Sequence, residues 1–258
     1  MLRSLLFVPA KEKMMNKISS LSSDGYIIDL EDSINEGEKA EALELLCSLL
    51  SEHSEWSDIF IRLNKTHFEE EAIALNGFNV GFMLPKFESP EEYARIDRVW
   101  SKHKLIALVE TPMGVINIQQ IAQCSWVDAI AFGAEDYTAS VNMLNDDVML
   151  SPIKSTLVLY AKAYKKKVFD TPSFKINDDV EFEHEVRNSM NLGFDGKLAI
   201  SPRHLQYIND TFNSCDLDYM KSVIAKYEDD GNAVVVIDGN VYEKMHINRI
   251  RKIIKENS

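Results

Sequence analysis

The chain has 258 residues, 45 % of them hydrophobic and 27 % charged, and its 41 acidic against 28 basic side chains leave a formal charge of −13. That balance supports a buried core and excludes wholesale disorder, while the acid excess, with no basic stripe to offset it, excludes nucleic acid as a partner. No apolar run approaches the roughly 20 residues of a membrane span, and three distant cysteines, Cys47, Cys124 and Cys215, suit a reducing cytoplasm better than disulfides.

Short branched or aromatic runs alternate with stretches of helical spacing. LLFVP at 5–9 predicts the first strand, and Met14, Met15, Ile18 and Leu21 predict a helix over 11–22. YIIDL at 26–30 is followed by a helix over 39–51 carrying Leu43, Leu46, Leu49 and Leu50. IFIRL at 59–63 and GFMLP at 81–85 are the third and fourth strands, and Pro90 suits the first turn of a helix over 90–102. LIALVE at 105–110 precedes a helix over 115–124, AIAFG at 129–133 one over 154–165, and VFDT at 168–171 one over 180–191, before GKLAI at 196–200. Strands so continuously apolar belong to a parallel sheet buried on both faces. Eight strand–helix pairs in this length close most economically into an α/β fold, the (β/α)₈ TIM barrel. The competing open doubly wound sheet needs a glycine-rich phosphate turn after its first strand, and Pro9-Ala10-Lys11 is not one. The expected organisation is a catalytic barrel over 1–212 and an extension over 213–258. In the extension a helix over 217–227, a hairpin (233–237 and 240–242) turned by Asp238-Gly239, and a helix over 247–254 would form a lid that could contact a neighbouring subunit.

Catalytic groups of such a barrel stand where its strands end. Here those ends read Asp29-Leu30-Glu31-Asp32, Arg62-Leu63-Asn64, Pro85-Lys86, Glu110-Thr111-Pro112 and Gly133-Ala134-Glu135-Asp136. Crowded carboxylates raise one another's pKa unless a cation intervenes. Glu110 and Asp136, from adjacent strands, are candidate ligands of one hard divalent ion, and an oxygen-only set favours Mg²⁺ or Mn²⁺. Helix capping or pairing with a base is the alternative for either acid. Arg62, in an otherwise apolar strand, must pair with Asp29 or Glu31 or face a site, where it can grip a carboxylate or enolate oxygen. The successive amides of Gly133, Ala134, Glu135 and Asp136 can hold a carboxylate without any side chain. None of the six histidines, His53, His67, His103, His184, His204 and His246, joins an HxH or HExxH pattern, and surface placement is the expectation for five of them. Lys165-Lys166-Lys167 reads as a solvated helix end.

In order along the chain, Arg3-Ser4 with Phe7-Val8-Pro9, Asp29-Leu30-Glu31-Asp32, Arg62-Leu63-Asn64, Leu84-Pro85-Lys86, Glu110-Thr111, Gly133-Ala134-Glu135-Asp136 and Gly193-Phe194-Asp195-Gly196-Lys197 form a set. That set resembles the citrate lyase β-subunit-like branch of the HpcH/HpaI aldolase superfamily, over almost the whole chain. The resemblance implies a (β/α)₈ barrel, usually a homotrimer, that makes or breaks a carbon–carbon bond between a 2-keto acid and an acetyl thioester of coenzyme A. It implies Glu110 and Asp136 as Mg²⁺ ligands, Arg62 on the keto acid and its developing enolate, and the Gly133–Asp136 amides on the carboxylate. It implies Asp29, Glu31 and Asp32 behind them, orienting Arg62 and metal-bound water. It places Arg3, Lys11 and Lys17 near coenzyme A phosphates, and Glu243, where the family more often has Asp, as the base for the substrate hydroxyl. The chain departs from the family pattern at Lys154 (Arg there), Ser201 (His) and Lys244-Met245 (Ser-Pro). The leading expectation is a Mg²⁺-dependent lyase acting on a citryl-CoA- or malyl-CoA-like thioester. A pyruvate-type aldolase on free hydroxy-keto acids is discounted because its branch places a His directly after the strand-two Glu, where this chain has Asp32. A metal- and ligand-binding accessory protein without turnover is the reading of a different class.

Overall fold

The structure is a computed structural model that describes residues 2–213 and 217–256; Cys215 lies outside them. The described residues fall into two units, one reaching to Thr211 and one beginning at Phe212.

In the first unit the eight apolar runs become β1 Ser4–Pro9, β2 Gly25–Asp29, β3 Ile59–Arg62, β4 Gly81–Leu84, β5 Leu105–Val109, β6 Ala129–Phe132, β7 Lys167–Asp170 and β8 Gly196–Ala199. They pair in parallel in chain order, and β8 closes on β1 with Leu198 opposite Leu5, so the sheet is a complete barrel. Closure removes both sheet edges, and helices outside bury the outer face, which is why the strands carry apolar residues at nearly every position. Every strand gives the barrel interior at least one residue of a single cluster: Leu5, Ile27, Phe60, Met83, Ile106 with Leu108, Ala129 with Ala131, Phe169 and Leu198. Side chains alternate along a strand, so the residues two positions further point into the same interior one layer up. That layer contains Phe7, Asp29, Arg62, Glu110, Gly133, Thr171 and Ile200, all of which line one cavity at the C-terminal mouth.

The helices match their expected places less closely. Residues 39–52 and 179–192 are helical much as the leucine and valine spacing indicates. The stretch 90–102 is instead three short pieces, Pro90–Tyr93, Ala94–Ile96 and Asp97–Trp100, and 11–22 is a turn of helix, Glu12–Met15, and a 3₁₀ turn, Ile18–Ser20. Phe68–Leu75 and Ala134–Val141 are helices that the apolar spacing does not announce. The helix expected from 154 starts at Asp147, because the Asp146 side chain accepts from the Val148 and Met149 amides. Lys154 therefore sits two turns inside it, fully buried, paired with Asp147 at 2.5 Å and Asp170 at 3.0 Å. Of the six histidines only His204 is buried: it is 2 % exposed and stacked on Phe182 with ring centroids 3.9 Å apart. Lys166 is not solvated at its tip, since its ammonium donates to the Cys124 and Val127 carbonyls.

In the second unit the helix Leu217–Asp230, the antiparallel pair β9 Val234–Ile237 and β10 Asn240–Glu243, and the helix Lys244–Glu256 enclose Val223, Val235, Ile237 and Ile247. Asp238 and Gly239 both take positive φ, as the two-residue turn demands. No helix among the described residues is long and apolar enough to cross a membrane.

Candidate active site

The cavity at the mouth of the barrel has a volume of about 430 Å³. Its lining combines apolar side chains (Phe7, Leu108, Phe174, Leu198 and Ile200) with the polar strand ends.

Arg62 organises the polar wall. Its Nε and Nη2 donate to the two oxygens of Asp29 at 2.7 and 2.8 Å, a bidentate pair that the register sets by placing Asp29 directly opposite Arg62. Nη1 reaches Glu31 at 3.2 Å and Asp32 at 3.0 Å, and the guanidinium lies 5.2 Å from the Phe7 ring centroid. Burial opposes the charge of Asp29, but the Arg62 hydrogen bonds outweigh it and hold the carboxyl below its ordinary range; the same acids raise the Arg62 pKa. The sequence left Arg62 a choice between an ion pair and a site; the structure pairs it with acids and also puts it in the cavity lining. Asp32, 58 % exposed, is the most exposed of its three partners.

Glu110 follows β5 and is 2 % exposed. Its Oε1 accepts from the Lys86 amide at 2.8 Å, while no donor among the described residues reaches Oε2. The carboxylate lies against Gly133: a Cβ at position 133 would stand 2.5 Å from Oε2 and 2.7 Å from the Glu110 Cβ, so only glycine fits. Burial, reinforced by Asp136 and Glu31 and opposed by the Lys86 amide and Arg62, pushes the Glu110 pKa up to about 8. Glu31 is likewise raised, by burial above all.

Of the four amides that open the helix after β6, two are already engaged: Gly133 donates to the Val109 carbonyl at 3.0 Å and Ala134 to Thr171 Oγ1 at 3.1 Å. The Glu135 and Asp136 amides have no partner among the described residues. The Glu135 side chain turns to Asn145 at 2.6 Å, and Asp136 is exposed at the cavity.

Asp29, Glu31, Asp32, Glu110, Glu135 and Asp136 thus gather around two bases, Arg62 and Lys86. Such an excess of carboxylate, with Asp29, Glu31 and Glu110 buried and Asp32, Glu135 and Asp136 exposed, is a setting that a hard cation would relieve, and Glu110 Oε2 and Asp136 are the oxygens that could hold one. No group of three or more His, Cys, Asp or Glu able to hold a metal occurs among the described residues.

Four further expected site residues remain: Arg3, Lys11 and Lys17 are absent from the cavity lining, and Glu243 belongs to the second unit. Arg3 precedes β1, at the opposite end of the barrel, and its guanidinium is engaged by Asp24 at 2.7 and 2.8 Å. Lys11 follows β1 at the cavity end and is exposed, as is Lys17. Glu243 closes β10 in the second unit, exposed, its amide donating to His246 Nδ1 at 3.2 Å.

Lys86 is the site residue to which the sequence gave no role. It has φ 47°, in the left-handed region that costs a side-chain-bearing residue about 1–2 kcal/mol, and its ammonium lies 3.4 Å from Glu31 Oε1. Thr171 is the other, and a hydroxyl ending an apolar strand was its only signal.

The chain resembles other proteins along nearly its whole length. It is 28 % identical to the citrate lyase subunit beta of Haemophilus influenzae, over 98 % of this chain and 96 % of that one. It is 27 % identical to a (3S)-malyl-CoA thioesterase of Cereibacter sphaeroides, over 98 % of this chain and 93 % of that one. Among solved structures, the citrate lyase beta subunit of M. tuberculosis complexed with oxaloacetate and magnesium superposes with a TM-score of 0.70 at 25 % identity, covering 81 % of this chain and 96 % of that one. The family model for HpcH/HpaI aldolase/citrate lyase matches residues 3–202, most of the barrel, and the chain belongs to that family.

Proposed function

We propose that the protein is a Mg²⁺-dependent carbon–carbon lyase that splits a 3-hydroxy acidic acyl-CoA into a 2-keto acid and an acetyl thioester, or runs the reverse condensation. The observation that carries this reading is Glu110, a buried carboxylate with one oxygen fixed by the Lys86 amide and the other left without a donor against Gly133. Glu110 and Asp136 would hold the ion, which when bound supplies positive charge to the hydroxyl and carboxylate oxygens of the substrate. The Glu135 and Asp136 amides hold a substrate carboxylate at the start of their helix. Arg62 keeps Asp29 as its fixed partner and exchanges Asp32, the one of its three acids that faces solvent, for the substrate.

The reaction needs a base for the hydroxyl proton, and Glu243 is assigned that role. As the proton leaves, the hydroxyl carbon becomes the keto carbonyl. Its bond to the thioester α-carbon breaks, and the electron pair passes to the thioester as an enolate, which is then protonated to the acetyl thioester. Arg62 stabilises the developing negative charge. Exposed Lys11 and Lys17 are assigned to the coenzyme A phosphates; Arg3 is left out, since Asp24 engages it. The assembly is assigned as a homotrimer in the cytoplasm, where Cys47 and Cys124 remain free thiols; Leu144, Val148 and Met149, 81, 77 and 62 % exposed, are apolar side chains that assembly would cover.

Melting curves test the ion site. Mg²⁺ raises the melting temperature of the wild type, and Glu110→Ala and Asp136→Ala abolish that shift. Glu243→Gln keeps the shift but slows keto-acid release. A shift that survives in both carboxylate variants removes the site; turnover unchanged in Glu243→Gln removes the base.

A further inference from the structure

The left-handed turn at Lys86 persists because its surroundings fix it. Both carbonyls of the turn are tied: Tyr93 Oη donates to the Pro85 carbonyl at 2.7 Å, and Lys65 Nζ donates to the Lys86 carbonyl at 2.9 Å. Lys65 Nζ also donates to Tyr93 Oη at 3.0 Å and pairs with Glu92 at 2.6 Å, lying 4.7 Å from the Tyr93 ring centroid. An ammonium has three donors and no acceptor, so these contacts use the head of Lys65 completely. On the far side of the turn the Phe87 amide donates to the Leu108 carbonyl at 3.0 Å. Held this way, the turn aims the Lys86 N–H at Glu110 Oε1, 2.8 Å away. Lys65 itself does not line the cavity.

We propose that Lys65 is a positioning residue for Glu110: by clamping the Pro85–Lys86 turn in its left-handed form it fixes the carboxylate whose other oxygen faces Gly133. The proposal rests on the reading of Glu110 as an ion ligand, and its test separates the two. Lys65→Met keeps the aliphatic stem and removes the three donors. In metal-free protein, hydrogen exchange at the Lys86 amide should quicken about tenfold in this variant, because the bond to Glu110 opens more often. Calorimetric titration with Mn²⁺ should show about tenfold weaker binding, the usual consequence of losing an outer support.

Lys86→Gly supplies the discriminating background. Glycine holds a positive φ without strain, so the turn no longer needs its clamp. In that background Lys65→Met should weaken Mn²⁺ binding less than about threefold. Equal losses in both backgrounds, or unchanged exchange at Lys86, overturn the proposal. Should Lys65→Met fail to fold, Tyr93→Phe, which deletes only the hydroxyl on Pro85, must move exchange and Mn²⁺ affinity in the same direction. If the wild type binds no Mn²⁺ while Lys86 exchange still quickens in Lys65→Met, the clamp stands and the ion assignment falls.

Discussion

Glu110 has a pKa of about 8 for the same reason that it suits a cation: burial and the neighbouring Asp136 and Glu31 disfavour its charge. Unfolding returns it to an ordinary carboxylate, so between about pH 4.5 and 8 the folded, ion-free protein holds more protons than the unfolded chain, and stability from this group falls as pH rises. An ion needs the deprotonated form, so Mg²⁺ affinity should climb with pH by up to about tenfold per unit and level off near pH 8, with proton release below it. Calorimetry in buffers of different ionisation enthalpy reads this, and a flat affinity between pH 6 and 8 would show that Glu110 is not the ligand. Gly133→Ala is the steric counterpart. Its Cβ displaces the Glu110 carboxylate and should destabilise the fold by about 1–3 kcal/mol while weakening the ion-dependent melting shift; an intact shift would contradict the packing. Glu110 and Asp136 were legible because acids at successive strand ends stand out in an apolar pattern. Lys86 was not, because a positive φ after Pro85 is fixed by contacts from Lys65 and Tyr93, residues 21 positions before it and 7 positions after it, which no local pattern displays.

At the scale of elements, the strands were easier to read than the helices for one reason: a parallel strand buried on both faces leaves a solid apolar run, whereas a barrel helix shows only a stripe. The stripe over 90–102 is real, with Tyr93 and Trp100 buried, but the backbone meets it in three short pieces. Thr111 and Asp146 cap helices that start earlier than the stripe does. What joins helix to sheet at β7 and β8 is partly ionic. Asp170 and Lys197 point outward from the barrel, and Asp170 accepts from Lys154 at 3.0 Å, Lys197 at 3.3 Å and Ser189 at 2.5 Å. Burial would raise the Asp170 pKa, but the two ammonium groups outweigh it and hold it at about 2. Its stabilisation is therefore complete above the ordinary carboxylate range and disappears as pH falls toward 2. Asp170→Asn leaves two buried ammonium groups facing a neutral amide and should cost about 3–5 kcal/mol in urea unfolding, whereas Lys154→Met, which leaves Asp170 paired with Lys197, should cost clearly less. Equal costs would mean that charge is not what holds this seam. The Arg-to-Lys departure from the family at 154 falls in this seam, so it bears on packing and not on the lining of the cavity.

For the whole molecule, the barrel was predictable because closure follows from eight strands of one direction, and the hairpin of the second unit because Asp238-Gly239 demands it. Chemistry was legible only in part, since a citrate lyase subunit and a malyl-CoA thioesterase are similar to this chain to nearly the same degree. Those names separate at one bond: a lyase breaks carbon–carbon and keeps the thioester, while a thioesterase releases a free thiol. The direct test is to incubate the protein with Mg²⁺ and either malyl-CoA or citryl-CoA, and to follow 2-keto acid and free thiol together. A lyase yields keto acid and acetyl-CoA in equal amounts with no thiol released, and falls silent after chelation or in Glu110→Ala. Thiol appearing without keto acid, or keto acid still forming in the presence of chelator, would contradict the lyase reading.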